Sequence, residues 1–379
     1  MFFHMPEALK ERGNQKPFSV QKKSMLILLI LVGIGFVIQL VTILSFTKKK
    51  EERSFGFSGK LWKNPYGSNL SNPYSEKIAL HTHSNEVYFT PERHTIEEIY
   101  ETYKSFGFSN VAITDYGQIS KSDRYDHLTG FEWGQNVKKR HILALGGDYS
   151  FSDYFPFYAR FENINWVIQK MKDSNAFVIL PHPKLNNVYT KKDVMEIDGF
   201  HAIEVYSPFG DDPKILDTVL SQGRLVHCMA NDDLHYFPEE KVKNFSQPFW
   251  KDWIQTLGHQ RGRKGESGMR YVAMESGVHS QSAVLQNLFQ GNYFCVKKFF
   301  REATDPSPPK ILIQKDTLVV RGDERYLEIR VIGKAGEILH SSPDTNLASY
   351  NLKPEDEYIR LEIIALTGSI LSNAIYRSN

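Results

Sequence analysis

Hydrophobic and polar positions follow three different rhythms along this chain. The first is an unbroken apolar run from Met25 to Phe46, with no charge and only Gln39 and Thr42 as strongly polar interruptions. About 20 apolar residues suffice to cross a bilayer. A cleaved signal peptide has a shorter core and a small-x-small site after it, and no such site follows Leu44. The run therefore predicts a membrane-spanning anchor at 25–46, behind an N-terminal tail at 1–24. Lysines and arginines are nearly balanced on its two sides, so the charge rule does not set the orientation. A short tail ahead of a large C-terminal body fits export of that body to the extracytoplasmic side.

A linker at 47–76, whose stretch from Glu51 on is rich in Ser, Asn, Gly, Pro and aromatic residues, leads to the second rhythm. Short apolar stretches such as Lys77-Ile78-Ala79-Leu80, Val111-Ala112-Ile113, Ile142 to Leu145, Phe177 to Leu180, Ala202 to Val205 and Leu225-Val226 read as strands. Between them lie helical patterns, with Ile96, Ile99, Tyr100 and Tyr103 on one face and Ile164, Val167, Ile168 and Met171 on another. Strands alternating with amphipathic helices predict an α/β fold with a parallel sheet or barrel, whose functional groups gather where strands end. The third rhythm begins after Asp305-Pro306-Ser307-Pro308-Pro309. There, Leu327-Ile329-Val331 and Ile359-Leu361-Ile363 alternate with polar residues in a period of two, predicting a small antiparallel β-domain over 305–379.

Length and charge narrow the partners. A chain of 379 residues holds about two to three folded units, and 46 Lys+Arg against 44 Asp+Glu leaves no large basic face for nucleic acid. The two cysteines, Cys228 and Cys295, are too few for a cysteine zinc site or a disulfide scaffold. The default for each is a buried thiol, with a disulfide the lesser option. The charged stretch Glu239 to Arg270 reads as a solvated loop.

The strand ends carry the chemistry. Leu80 runs into His81-Thr82-His83, Ile113 into Thr114-Asp115-Tyr116, Leu180 into Pro181-His182-Pro183, and Met229 towards Asp232-Asp233-Leu234-His235. Glu132 and His141 flank a loop that enters a further strand. Alternation in extended chain points His81 and His83 the same way, and likewise Asp233 and His235. Any one of these signals has a bland reading as a rigid turn or solvated imidazole. Occurring together, each after an apolar stretch, they predict a site for Zn, Mn or Fe holding more than one ion.

With these motifs the chain resembles the polymerase-and-histidinol-phosphatase (PHP) superfamily of metal-dependent phosphoesterases. The likeness spans roughly 77–304 and also uses Thr90-Pro91-Glu92, Gly130-Phe131-Glu132-Trp133 and Ile203-Glu204-Val205-Tyr206. It implies a distorted (β/α)7 barrel and a phosphate mono- or diester as substrate. It further implies that His81, His83, Glu132 and Asp233 hold one divalent ion, and that a bridging Glu132 with His141 and His182 holds a second. The family's third site would use His235, but the second motif here ends in Tyr116 instead of histidine. The expectation is a dinuclear centre, with a third ion left open and with Tyr116 and His235 facing substrate. Asp115 orients a ligand, and Lys184 and Arg93 are the candidate phosphate-binding cations. Two alternatives are a protein-tyrosine phosphatase of this family and a catalytically silent, membrane-anchored protein that binds through its β-domain.

Overall fold

The computed structural model describes residues 17–51, 56–67, 73–87, 94–134, 136–235, 237 and 267–378. The chain opens with helix α1 (Pro17–Ser45), long and apolar enough over Lys22–Ser45 to cross a membrane. The folded body then runs β1 (Leu61–Lys63), β2 (Glu76–Ala79), α2 (Ile96–Ser105), β3 (Phe108–Ile113), β4 (Leu128–Trp133), β5 (Ile142–Leu145), α3 (Phe161–Asp173) and β6 (Phe177–Leu180). After these come α4 (Lys191–Glu196), β7 (Ala202–Tyr206), α5 (Pro213–Leu220), β8 (His227–Ala230), β9 (Arg270–Met274), α6 (Gln281–Gln290) and β10 (Phe294–Lys298). Six further strands complete the chain: β11 (Lys310–Gln314), β12 (Thr317–Ile332), β13 (Ile338–Asn351), β14 (Tyr358–Ile364), β15 (Gly368–Ser372) and β16 (Ile375–Ser378).

The result is a mixed α/β fold on one large sheet, in which β10-β9-β2-β3-β4-β5-β6-β7-β8 form one continuous path. The α2 face expected from the sequence is buried at Ile96, Ile99 and Tyr103. A capping box starts this helix, with the Thr95 hydroxyl accepting from Glu98 N–H and the Glu98 carboxylate accepting from Thr95 N–H. The strands are not uniformly parallel. β4 pairs with β5 and β5 with β6 antiparallel, and β9 is antiparallel to both β2 and β10. The cause is loop length. Residues 134–141 are too few for the helical crossover that a parallel return requires, so β5 comes straight back beside β4.

The strands after 305 join the same sheet, since β15 pairs with β10. A buried, two-pronged ion pair adds a second tie between them and the rest of the body, from the Arg360 guanidinium on β14 to both carboxylate oxygens of Asp217 on α5, each at 2.7 Å. The cysteines correct the sequence expectation. Cys228 on β8 and Cys295 on β10 are disulfide-bonded, with Cα atoms 6.3 Å apart, so the two ends of the nine-strand path are covalently joined. Sixty-seven residues separate the two cysteines in sequence, and only the curling of the sheet brings them together.

Two histidines lie at the opposite end of the strands from the motifs singled out above. Burial, with smaller effects from Lys172 and His227, depresses the His201 imidazole to about 3, and burial depresses His227 to about 4. A free histidine titrates near 6.5, so below that pH the unfolded chain takes up protons that the fold refuses. The contribution of these two residues to stability is therefore full above about pH 6.5 and falls as pH drops towards about 4. Thermal melting of the detergent-solubilised chain across this window should show that fall, and His227→Gln should make it shallower. An unchanged slope in the variant would assign the acid sensitivity to other groups.

Candidate metal centre

Five strands deliver donors to one mouth of the curled sheet. His81 and His83 follow β2, Glu132 sits near the end of β4, His182 follows β6, and Asp233 follows β8. His141 immediately precedes β5, and the antiparallel course of that strand brings its start to the same mouth. Backbone bonds hold the segments in register: His83 N–H donates to Leu234 C=O at 2.8 Å, Leu234 N–H to His81 C=O at 3.2 Å, and Thr114 N–H to Thr82 C=O at 2.9 Å. His182 and Asp233 adopt left-handed backbone conformations, at φ +34° and +47°. A side chain held there costs on the order of 1–3 kcal/mol, a strain that concentrates at functional positions.

Glu132 is the hub, with no exposed surface. One carboxylate oxygen lies 2.8 Å from His141 Nδ1, 3.2 Å from His182 Nε2 and 3.6 Å from His81 Nε2; the other lies 3.2 Å from His83 Nε2. Asp233 Oδ1 is 3.2 Å from His81 Nε2, 3.3 Å from His83 Nε2 and 3.5 Å from His235 Nδ1. The donors thus fall into compact groups, including His81-His83-Glu132, Glu132-His141-His182 and His83-Asp233-His235, each with ligand atoms within 4.8 Å of one another.

Burial raises the cost of charge here, yet the surrounding imidazoles, His141 and His81 foremost, hold Glu132 well below the usual carboxylate range. Asp233 is likewise held low against burial, chiefly by His81 and His235. His141 goes the other way, its pKa lowered by burial although Glu132 opposes. The chemistry of the donor set fits divalent cations. His81 Nε2, both ring nitrogens of His83, Glu132 Oε2, His141 Nδ1 and Asp233 Oδ1 are buried with no hydrogen bond of acceptable geometry among the described residues. Unsatisfied atoms are rare in folded interiors, and a cluster of lone-pair donors aimed at one another is what bound cations would satisfy.

The other sequence candidates have distinct places. The Tyr116 ring stacks on His83 at 4.6 Å between centroids, and its hydroxyl lies 3.3 Å from His235 Nε2. Asp115 accepts from the N–H and hydroxyl of Ser84 and from the Ser120 hydroxyl, so it braces the residue that follows His83. Lys184, expected to bind phosphate, is paired with Asp212 at 3.0 Å and is 42% exposed. Arg93 lies outside the described residues, as does the stretch 239–266 of the expected loop. Asp232, next to Asp233, turns into the body instead and accepts from Gly268 and Arg270 N–H and from the Tyr103 hydroxyl.

Sequence reasoning gave Glu204 no role, yet it supports two of the donors. Its fully buried carboxylate lies 3.4 Å from His81 Nδ1 and accepts from His182 N–H at 3.2 Å. The signal was present as a lone carboxylate inside the otherwise apolar strand Ala202 to Tyr206, where a buried charge demands partners. Glu204 fixes the His81 ring so that Nε2 faces the cluster. Loss of such a partner costs about 10–100-fold in metal affinity. Glu204→Gln should therefore lower ion retention by that order in competition with a chelator while the circular dichroism spectrum stays unchanged. Retention equal to the unsubstituted protein would show that His81 is oriented by other contacts.

No protein-family model and no curated protein matches this chain. Among solved structures, PHP-like metal-dependent phosphoesterases are similar to it. A two-domain protein from Bacteroides vulgatus containing a predicted PHP-like metal-dependent phosphoesterase shares 12% identity, with 86% of this chain and 100% of that one covered, at a TM-score of 0.40. A protein from Bifidobacterium adolescentis, described by inference as a metal-dependent phosphoesterase, shares 15% identity over 48% of this chain and 97% of its own, at a TM-score of 0.34. At such scores the functional reading rests on the geometry of this chain's own residues.

Proposed function

We propose that the chain is a membrane-anchored, metal-dependent phosphoesterase of the PHP type, hydrolysing a phosphate mono- or diester at a dinuclear centre. The observation that carries this reading is the set of buried, hydrogen-bond-deficient donors around Glu132. His81, His83, Glu132 and Asp233 would hold one ion, and Glu132, His141 and His182 the other. The mixed sheet, curled with its donors at one mouth, supports a distorted barrel of that type. Two such ions supply a nucleophilic water at neutral pH and offset charge on the phosphoryl oxygens.

The chain's own groups do the rest. Glu132 and Asp233 provide the negative charge that retains the cations. Tyr116 and His235, joined by their short contact, stand beside His83 where a leaving oxygen would need a proton, and either ring can pass one.

The full chain purified without chelator should carry about two divalent ions and hydrolyse members of a phosphoester panel, with activity lost on chelation and regained with Mn or Zn. Glu132→Gln should lose both ions by elemental analysis, because the carboxylate is shared. Full activity in protein free of transition metal would overturn the reading.

We further propose that α1 spans the membrane and that the body lies on its extracytoplasmic side. The Cys228–Cys295 disulfide supports that orientation, since such bonds persist in oxidising compartments. Protein denatured directly from cells should take up no maleimide mass tag before reduction and two after it. Two tags without reductant would leave the exported orientation unsupported, and protease added to intact cells should then spare the body.

A further inference from the structure

The two polar residues inside the apolar run have partners on the body. Gln39 Nε2 and Thr42 Oγ1 both donate to the Tyr154 carbonyl, at 3.5 and 3.3 Å, and Phe157 N–H donates to Gln39 Oε1 at 3.4 Å. One turn further on, the Arg160 guanidinium and the Asn163 amide both donate to the Ile43 carbonyl at 2.9 Å. Phe46 then stacks on Trp166 of α3, with ring centroids 4.8 Å apart. The end of α1 is therefore built into the loop between β5 and α3 and does not dangle from a free linker.

This attachment fixes where that loop lies relative to a bilayer. About 20 residues fill the hydrocarbon core, and counted from Lys23 they end near Ile43. Gln39 then sits about 6 Å inside that boundary, at 1.5 Å per residue. Loop residues bonded to Gln39 cannot avoid the interface. Their neighbours are suited to it: Phe157 and Tyr158 are 65% and 50% exposed. Beside them, Val137 is 76% exposed and donates its N–H to Pro156 C=O. Val137 is followed by the exposed Lys138 and Lys139. Aromatic rings favour the headgroup level, and lysines there attract anionic lipid.

We infer that Val137, Lys138, Lys139, Phe157 and Tyr158 form a bilayer-docking surface that seats the body directly on the lipid headgroups. This rests on the reading that α1 spans the membrane. Val137 to Lys139 lie in the short connection between Glu132 and His141, so the docked surface also sets the metal-binding mouth at a fixed station relative to the bilayer.

The test uses the full chain in vesicles of equal parts phosphatidylcholine and phosphatidylglycerol carrying nitroxide lipids. The native cysteines are buried and paired, so one introduced cysteine takes an environment-sensitive fluorophore. Three variants are compared: Phe157→Cys in the loop, Val32→Cys in α1, and Leu347→Cys on β13, whose sole strand partner among the described residues is β12. The expected result is a blue-shifted Phe157→Cys label quenched by nitroxide near the headgroup, a Val32→Cys label quenched by nitroxide at mid-chain, and an unquenched Leu347→Cys label. A deep-quenched Val32→Cys with Phe157→Cys no more quenched than Leu347→Cys would overturn the docking surface while leaving the span intact. An unquenched Val32→Cys would overturn the span and the docking surface together.

Discussion

The Glu132 carboxylate carries its charge where no water reaches it, and the rest of the site is organised around that fact. Taking a carboxylate out of water costs several kcal/mol unless positive charge compensates. Four imidazoles surround Glu132, and two of them are shared with Asp233. Burial works against a charged His83, yet the nearby Asp233 and Glu132 carboxylates still push its pKa up to about 10. The demand for positive charge is built into the packing, and bound cations would meet it.

That demand explains the course of the chain. Donors must approach from several directions at once, and a curled sheet whose strands end at a common mouth achieves this with short loops. β5 shows how the architecture bends to the requirement: running antiparallel, it presents the residue before the strand where its neighbours present residues at or just past their C-terminal ends. Behind the ligands, Glu204 orients His81 while Asp115 ties down Ser84. Neither offers a free face to substrate, and both convert flexible loop ends into fixed ones.

The ligand-type residues were legible in the sequence because each stands at the edge of an apolar strand, where a histidine or carboxylate breaks the pattern. The α2 face was legible for the same reason, its period of 3.6 being local. What escaped depends on contacts distant in sequence. Glu204 acquires its meaning from His81 and the His182 backbone. The pairing of Lys184 with Asp212, 28 positions on, is announced by nothing local. Gln39 and Thr42 read as interruptions of an apolar run, and only the placement of the Tyr154 carbonyl shows them to be attachment points.

The cysteines escaped for a related reason, and it bears on how the site keeps its shape. Asp233 follows β8, at one end of the hydrogen-bonded path, whereas His81 and His83 follow β2, six strands away along it. Small errors of twist accumulating from strand to strand would separate Asp233 from the imidazoles it must meet. Two devices close the ring across that gap. At the mouth, Thr82 and Leu234 form a parallel bridge; within the sheet, the disulfide joins β8 to β10, and Tyr293 Oη donates to the Cys228 carbonyl at 2.9 Å. The C-terminal strands reinforce the same joint, because Asn373 Oδ1 accepts from Cys228 N–H while its amide donates to the Tyr293 carbonyl. The strands after 305 therefore do more than cover the sheet. They brace the seam on which the separation of Asp233 from His81 depends.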